Sequence, residues 1–143
     1  MKAKDSMIGD WVNVGQGCIM YSVYKDKPQK VVSVFPKGVG IGAAYVPIEY
    51  IEPIPLTPEI LEKNGWKREF DKKAYMVKYD LSVEGKNCWM MWAIKEHNLD
   101  IQRQDEKLNM YNLKTQRVCI PCDYVHELQH ALKLCGIEKE ITL

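Results

Sequence analysis

Three prolines close together constrain the fold of this chain more than any other feature. Pro47, Pro53 and Pro55 all lie within one stretch of nine residues. Proline has no backbone N–H and a fixed φ, so this stretch cannot form a central strand or a helix interior. We therefore expect a hinge or strap here, between a β-barrel-like half at residues 1–55 and a second half at residues 56–143.

The composition supports a hydrophobic core large enough for one domain. The chain has 143 residues, of which 46% are hydrophobic and 27% are charged. This is ordinary globular composition, and a core of this size needs no metal or disulfide to hold it together. We expect residues 1–143 to form a single compact domain that contains both halves.

Short apolar runs separated by turn residues fill the first half. Strands are predicted at residues 8–14, 18–24, 31–35 and 39–46. Glycine, proline and charged residues between these runs supply the turns. So many short strands predict a small antiparallel barrel or a strongly curled sheet.

The second half begins with a strong helix signal. Thr57 is a good N-cap and Pro58 suits the first helical position, while Gly65 can end the helix in a left-handed conformation. We therefore predict a short helix at residues 58–63, which must be held by packing and which Trp66 anchors.

Further strands and a closing helix complete a predicted α+β fold with antiparallel strands. The strands are predicted at residues 74–79, 87–94, 108–113 and 116–120. The C-terminal helix is predicted at residues 124–134, with Asp123 as its N-cap and Gly136 as its stop.

The charged residues are almost balanced. Lysine and arginine total 20, and aspartate and glutamate total 19, which gives no global attraction to nucleic acid or to an anionic membrane. The first ten residues lack a signal-peptide core, and residues 38–48 are too short to span a bilayer. We expect a cytoplasmic protein without a membrane partner, in which the five cysteines are free thiols.

Near the C-terminus the chain spells the zinc-protease pattern H-E-x-x-H. His126 and His130 share one face of a helix and can reach one metal ion, and Glu127 could act as general base on a metal-bound water. On a helical wheel, both histidines lie opposite an apolar stripe, which consists of Val125, Leu128, Ala131, Leu132 and Cys135. Since no third ligand has a defined spacing, we expect no catalytic zinc and expect the histidines to face solvent or a cleft.

Two cysteines before this helix leave a structural zinc site open as a second interpretation. Cys119, Cys122, His126 and His130 supply two thiolates and two imidazoles, but only three residues separate the two pairs. Cys-x-x-Cys before a helix is also typical of redox centres, although those accompany a βαβ pattern. The simplest interpretation is that both cysteines pack as small apolar residues.

The order of three motifs along the chain suggests a third metal ligand. Residues 38–44, 84–88 and 126–130 occur in the same order as three metal-binding motifs of peptide deformylases. Tyr45 stands where that family has its glutamine, and two residues are inserted before Cys88. We interpret the match as chance, but it makes Cys88 the best third ligand if the chain binds metal.

Two aromatic patterns are compatible with a binding surface. On a strand, Trp89 and Met91 face one way and Met90 and Trp92 the other, which predicts burial on both faces or one face offered to a partner. Residues 21–50 hold four tyrosines and four lysines, a mixture found on nucleic-acid surfaces, although aromatics are equally common in barrel cores and lysines at strand edges. Core packing is the favoured interpretation of both patterns.

Three segments of the chain resemble a known family. Residues 8–12 (IGDWV), 51–66 (IEPIPLTPEILEKNGW) and 124–132 (YVHELQHAL) resemble a family of short uncharacterised proteins common in Bacteroides-type genomes and their phages. No activity is assigned to that family, and its members often carry Gln and Asn in place of Glu127 and His130. The resemblance implies a small prophage or mobile-element protein, an SH3-like barrel at the N-terminus, and a C-terminal helix that is there for packing.

These patterns together favour a non-enzymatic binding or interaction module. No catalytic set is complete, a protein partner is favoured over nucleic acid, and no cofactor is expected. The alternative is a zinc-dependent hydrolase built on His126, Glu127 and His130, with Cys88 as third ligand. In a structural zinc site, Cys119 and Cys122 would close the coordination instead.

Overall fold

The protein is an α+β protein with two antiparallel sheets and few helices. The computed structural model describes residues 5–81, 86–105 and 116–143. They fall into two compact units, unit 1 with Met1–Pro55 and Tyr124–Gln129, and unit 2 with Leu56–Asp123 and His130–Leu143. That the chain forms a single domain stays a prediction.

Unit 1 contains a five-stranded sheet in the order β4-β3-β2-β1-β5, in which every pairing is antiparallel. Its strands are β1 Trp11–Val14, β2 Gln29–Phe35, β3 Gly38–Ile41, β4 Ala44–Pro47 and β5 Ile51–Pro53. The pairing of β2 with β3 is irregular between Val31 and Ser33. The core of the unit is formed by Val12, Val14, Cys18, Val31, Val39, Ile41, Val46 and Ile51.

The predicted strand at residues 18–24 is wrong. This segment contains the short helix α1, Tyr21–Tyr24. Cys18 is buried and Tyr21 and Tyr24 pack against the core, whereas Ile19 is 95% exposed. Met20 also packs against the core, so the core contacts of this segment do not follow the alternation of a strand.

Two other strand predictions in unit 1 need correction. The strand predicted at residues 39–46 is the hairpin of β3 and β4, in which Gly42 takes a φ of +57°. Glycine adopts such left-handed backbone without a steric penalty, so the chain reverses there. The strand predicted from residue 8 begins only at Trp11.

The proline-rich stretch is part of the sheet and not only a strap. Pro47 ends β4, a single 3-10 turn follows at Ile48–Tyr50, and β5 pairs with β1. Strand β5 was not predicted, because the prolines were taken to mark a strap. It lies at the edge of the sheet, where a proline costs little pairing. The N–H of Val125 then donates to the carbonyl of Ile54 at 2.9 Å, which fixes the start of the C-terminal helix on unit 1.

Unit 2 contains the second five-stranded antiparallel sheet, in the order β10-β9-β8-β7-β6. Its elements are the helix α2 Pro58–Lys63 and the strands β6 Lys67–Glu69, β7 Ala74–Leu81, β8 Lys86–Ala93, β9 Asn98–Asp105 and β10 Gln116–Pro121. The predictions for α2, β7, β8 and β10 are confirmed, whereas β6 and β9 were not predicted. The strand predicted at residues 108–113 lies outside the described residues.

Helix α2 has the ends that its sequence predicts. The N–H of Ile60 donates to Thr57 Oγ1 at 3.4 Å, and Gly65 has a φ of +88°. The buried Asn64 side chain then binds the end of the chain: its Nδ2 donates to the Thr142 carbonyl and its Oδ1 accepts from the Thr142 N–H, both at 2.8 Å. Asn64 therefore anchors the C-terminal residues on α2.

A buried tyrosine makes the stability of unit 2 sensitive to alkaline pH. The Tyr75 hydroxyl donates to Glu62 Oε1 at 2.8 Å, and burial, followed by this hydrogen bond, raises the pKa of Tyr75. Below a pH of about 10, the usual tyrosine pKa, this contribution to stability is fully present, and it is lost as pH rises through the raised pKa of the folded state.

We therefore expect the stability advantage of the wild type over Tyr75→Phe to shrink as the pH rises above about 10. Urea unfolding at a series of pH values measures the difference in free energy. Tyr45→Phe is the control, since Tyr45 is exposed and this change removes no buried hydroxyl. A Tyr75→Phe difference that stays constant up to pH 11 or grows would contradict the prediction.

Candidate functional site

The C-terminal helix that carries H-E-x-x-H is α3, Val125–Leu134. Its predicted apolar stripe is confirmed, since all five of its members are buried: Val125, Leu128, Ala131, Leu132 and Cys135. Gly136 ends the helix with a φ of +72°, as predicted. The helix begins at Val125, one residue later than predicted.

The prediction that both histidines face solvent or a cleft is wrong for His126. Its exposed fraction is only 7%, and its ring stacks on that of Tyr124 with 5.8 Å between centroids. His130 is half-buried. The wheel failed because it assumes that a helix is packed from one side, whereas the first turn of α3 is covered over a wider arc than its apolar stripe.

Glu127, the candidate general base, has a structural contact at the start of α3. Its Oε2 accepts a hydrogen bond from the backbone N–H of Tyr124 at 3.1 Å. A glutamate at the third helical position that accepts from the N-cap N–H is half of a capping box. It gives a hydrogen-bond partner to an N–H group that has none within the helix. Asp123, the predicted N-cap, lies 2.9 Å from His97, between Oδ1 and Nδ1.

A residue of the motif that the pattern leaves unspecified makes tertiary hydrogen bonds. Gln129 is buried, its Oε1 accepts from the N–H of Trp11 at 3.0 Å, and its Nε2 donates to the carbonyl of Gly9 at 3.0 Å. The side chain thus pairs with the backbone that enters β1, as a neighbouring strand would. Sequence reasoning missed this role, because a buried glutamine has no signal in hydrophobic periodicity.

The candidate metal ligands are not brought together within residues 5–81, 86–105 and 116–143. No three His, Cys, Asp or Glu side chains form a group that could hold an ion in this part of the chain. Cys88 is buried on β8, Cys119 is exposed on β10 and Cys122 is buried after it. Of the five cysteines, Cys18, Cys88, Cys122 and Cys135 are buried and Cys119 is exposed.

One side of the sheet of unit 2 carries apolar side chains around a hollow. Neighbouring residues across strands β7, β8 and β9 pair in register, with Met76 opposite Met91, Met91 opposite Asp100, and Trp89 opposite Gln102. We call this side the outer face, defined by Met76, Trp89, Met91, Asp100 and Gln102. On the other side the alternating residues are buried in the core: Tyr75, Cys88, Met90, Trp92, Leu99 and Ile101.

This arrangement confirms that Trp89 and Met91 face one way and Met90 and Trp92 the other. The favoured interpretation, that the whole run is core, holds for Met90 and Trp92, which are 0% and 1% exposed. Trp89 and Met91 remain half-buried and form the floor of a hollow.

The hollow on the outer face has a volume of about 570 Å³. Phe70, Met76, Trp89 and Met91 provide its apolar lining, and Lys73, Glu96 and Asp100 provide its charges. Small-molecule and side-chain pockets commonly measure roughly 300–1,000 Å³. The hollow is therefore large enough for a bulky side chain together with part of its neighbour.

Trp89 separates this hollow from a second one. The second hollow, of about 520 Å³, shares Met76 and Trp89 with the first and adds Lys67, Glu69 and Lys78. The Lys78 ammonium lies 5.4 Å from the centre of the Trp89 ring. Two lysines and one glutamate thus line the second hollow, whereas two carboxylates and one lysine line the first.

The turn that carries Glu96 is held by neighbouring contacts within unit 2. His97 has a φ of +53°, its ring centroid lies 5.3 Å from that of Trp92, and its carbonyl accepts from the Cys122 N–H at 2.8 Å. The Trp92 indole N–H donates to the Cys122 carbonyl at 2.8 Å. His97 thus has a structural role beside the candidate site.

The tyrosines of unit 1 do not form one continuous surface. Tyr21, Tyr24 and Tyr50 pack against the core of the unit. Tyr45 is exposed, and its ring meets the edge of Phe35 with 5.7 Å between centroids. This division supports the structural interpretation of these aromatics over a nucleic-acid surface.

Comparison of the chain with protein-family models, with curated proteins and with solved structures finds no match to any of them. Within the described ranges, no helix has both the length and the apolar character that a membrane crossing requires. The interpretation of the site therefore depends on its own geometry.

Proposed function

We propose that this protein is a non-enzymatic binding module whose partner is a protein, and that the partner binds the outer face of unit 2. The observation that carries the proposal is the apolar hollow that Met76, Trp89 and Met91 line on one face of the unit 2 sheet. Aromatic residues and methionine are enriched in protein interfaces. Methionine also adapts its flexible thioether chain to partners of different shape.

The contacts of α3 support a binding module over a hydrolase. Glu127 binds the backbone of Tyr124, and Gln129 binds the backbone of Trp11 and Gly9. Both residues therefore have a structural reason to be in the sequence that does not involve a metal. No cofactor is part of the proposal.

The proposal also includes the architecture of unit 1, which we take to be an SH3-like barrel. The strand order β4-β3-β2-β1-β5, the irregularity of β2 near Val31 and the 3-10 turn before β5 support it. An irregularity of this kind bends a strand and lets a small sheet curl. The resemblance of residues 51–66 supports an origin in a prophage or mobile element, with the protein acting in the cytoplasm.

Comparative capture from extracts of the native host tests the proposed function. Met91→Glu places a charge in the floor of the hollow, so we expect it to abolish recovery of the partner that the wild type retains. Val118→Glu is the matched control, since Val118 is an exposed apolar residue of the same sheet outside the hollow. Equal recovery by the wild type and Met91→Glu would contradict the proposal.

The proposal predicts that protein purified without chelator contains no stoichiometric zinc. A catalytic site would need two imidazoles and a third ligand on one ion, at about 2.0–2.1 Å for each Zn–N bond. Elemental analysis of the wild type measures the metal directly. One zinc per chain that is lost in His126→Ala and in His130→Ala would revive the hydrolase, and its loss in Cys119→Ser and Cys122→Ser as well would indicate a structural site.

A further inference from the structure

We infer that the hollow on the outer face receives a basic side chain, lysine or arginine, that is flanked by apolar residues in the partner protein. This inference rests on the proposed function and adds the chemistry of the partner. It is carried by the charges, the aromatic rings and the size of the hollow.

The charges that line the hollow favour a cation. Glu96 and Asp100 contribute two carboxylates, and Lys73 contributes one ammonium. Asp100 has only 4% of its surface exposed, whereas Lys73 is exposed. The two carboxylates outnumber the one ammonium, so the formal charge of the lining is −1, which favours a cation over an anion.

The aromatic rings favour a cation for a separate reason. The face of an indole or phenyl ring attracts a positive charge, and Trp89 and Phe70 both line the hollow. The chain already shows this preference on the same ring, since the Lys78 ammonium lies 5.4 Å from its centre. Lys78 borders the second hollow, so the first remains available for a cation from a partner.

The apolar floor accommodates the rest of such a segment. Long basic side chains cover apolar surface with their methylene groups while their charged ends reach polar groups. Met76 and Met91 pair across β7 and β8 and offer that apolar surface in the lining of the hollow. A volume of about 570 Å³ holds the basic side chain and part of an apolar neighbour. An acidic segment would instead bring its charge against Glu96 and Asp100.

Three blocked tripeptides test the inference with the full chain. The probes are acetyl-Phe-Arg-Leu-amide and the versions with glutamine or glutamate in place of arginine. Binding is followed by NMR through the indole N–H signal of Trp89, which is assigned with Trp89→Phe. We expect the arginine peptide to bind about fivefold or more tightly than the glutamine peptide, as a cation–π contact beside a carboxylate implies. The glutamate peptide should bind most weakly.

Two variants remove one charge each and keep the shape of the hollow. Glu96→Gln and Asp100→Asn should each reduce the preference for arginine over glutamine. Glu138→Gln should preserve it, because Glu138 is exposed and lies outside the lining. Since Glu96 is exposed, its variant stays informative even if Asp100→Asn fails to fold.

The possible outcomes separate the inference from the proposed function. Equal binding of the three peptides at the Trp89 signal would overturn the inference and leave the outer face as a binding surface. A preference for arginine that is unchanged in Glu96→Gln and Asp100→Asn would also overturn it. If no peptide moves the Trp89 signal, both the inference and the assignment of the outer face as the binding surface are overturned.

Discussion

Trp92→Ala is expected to lower the free energy of unfolding by about 3–5 kcal/mol, as is usual when a large buried aromatic is truncated. The Trp92 side chain is 1% exposed and belongs to the core face of the second sheet. Its removal leaves a cavity and also takes the indole donor from the Cys122 carbonyl. Urea unfolding followed by circular dichroism measures the loss.

Trp89→Ala is the matched control, because it removes the same side chain three residues earlier, from the outer face. We expect a loss of about 1 kcal/mol or less, since a half-buried residue on an open face leaves no closed cavity. A loss as large as that of Trp92→Ala would show that Trp89 belongs to a core, and the outer face would then not be an open binding surface.

Gln129→Ala is expected to lower the free energy of unfolding by about 2–3 kcal/mol, because it leaves buried backbone groups without their hydrogen bonds. The groups are the N–H of Trp11, which donates to Oε1, and the carbonyl of Gly9, which accepts from Nε2. Thermal and urea unfolding measure the effect, which should appear with and without added chelator.

Two variants of α3 sharpen this prediction. Gln129→Glu keeps an acceptor for the Trp11 N–H but puts a buried carboxylate oxygen where the donor to the Gly9 carbonyl was, so at neutral pH it should be at least as destabilised as Gln129→Ala. His130→Ala should be the mildest of the three, within about 1 kcal/mol, because His130 is only half-buried. If His130→Ala were the most damaging of the three and chelator had the same effect, the metal interpretation of α3 would replace the packing interpretation.

The elements that local rules specify were predicted from the sequence with their correct ends. Helix α2 has the predicted bounds, because Thr57, Pro58 and Gly65 each act on the backbone next to them. Helix α3 ends at Leu134 as predicted, and its apolar stripe is buried. The antiparallel pairing of both sheets also agrees with the density of short runs and turns.

The strand that was wrongly predicted and the strand that was missed have different causes. Residues 18–24 are as apolar as a strand, but Tyr21–Tyr24 form a helix whose Tyr21 and Tyr24 pack against the core. Strand β9 was missed because its charged residues obscure the alternation of apolar and polar side chains. In that alternation Leu99 and Ile101 are the buried apolar residues. That alternation is visible in the sequence and could have revealed the strand.

The candidate site was only partly predictable, because its lining comes from several strands. The sequence places Trp89 and Met91 on one side of a strand, but it does not say which strands lie beside them. Met76 and Asp100 reach the same face through the register of β7 and β9 with β8, which is tertiary information. The burial of His126 and the contacts of Gln129 likewise depend on which backbone packs against α3.

Photo-crosslinking from Cys119 tests most directly whether the outer face binds a protein. Cys119 is the exposed one among the five cysteines, and it pairs in register with Asp100, which lines the hollow. A benzophenone maleimide therefore reacts there in preference to the buried thiols. The control carries the same label on Cys119→Ala/Glu138→Cys. Illumination in extract of the native host should give one covalent protein adduct from Cys119, none from position 138, and none in Met91→Glu labelled at Cys119. No adduct at Cys119, or the same adduct from position 138, would contradict the account.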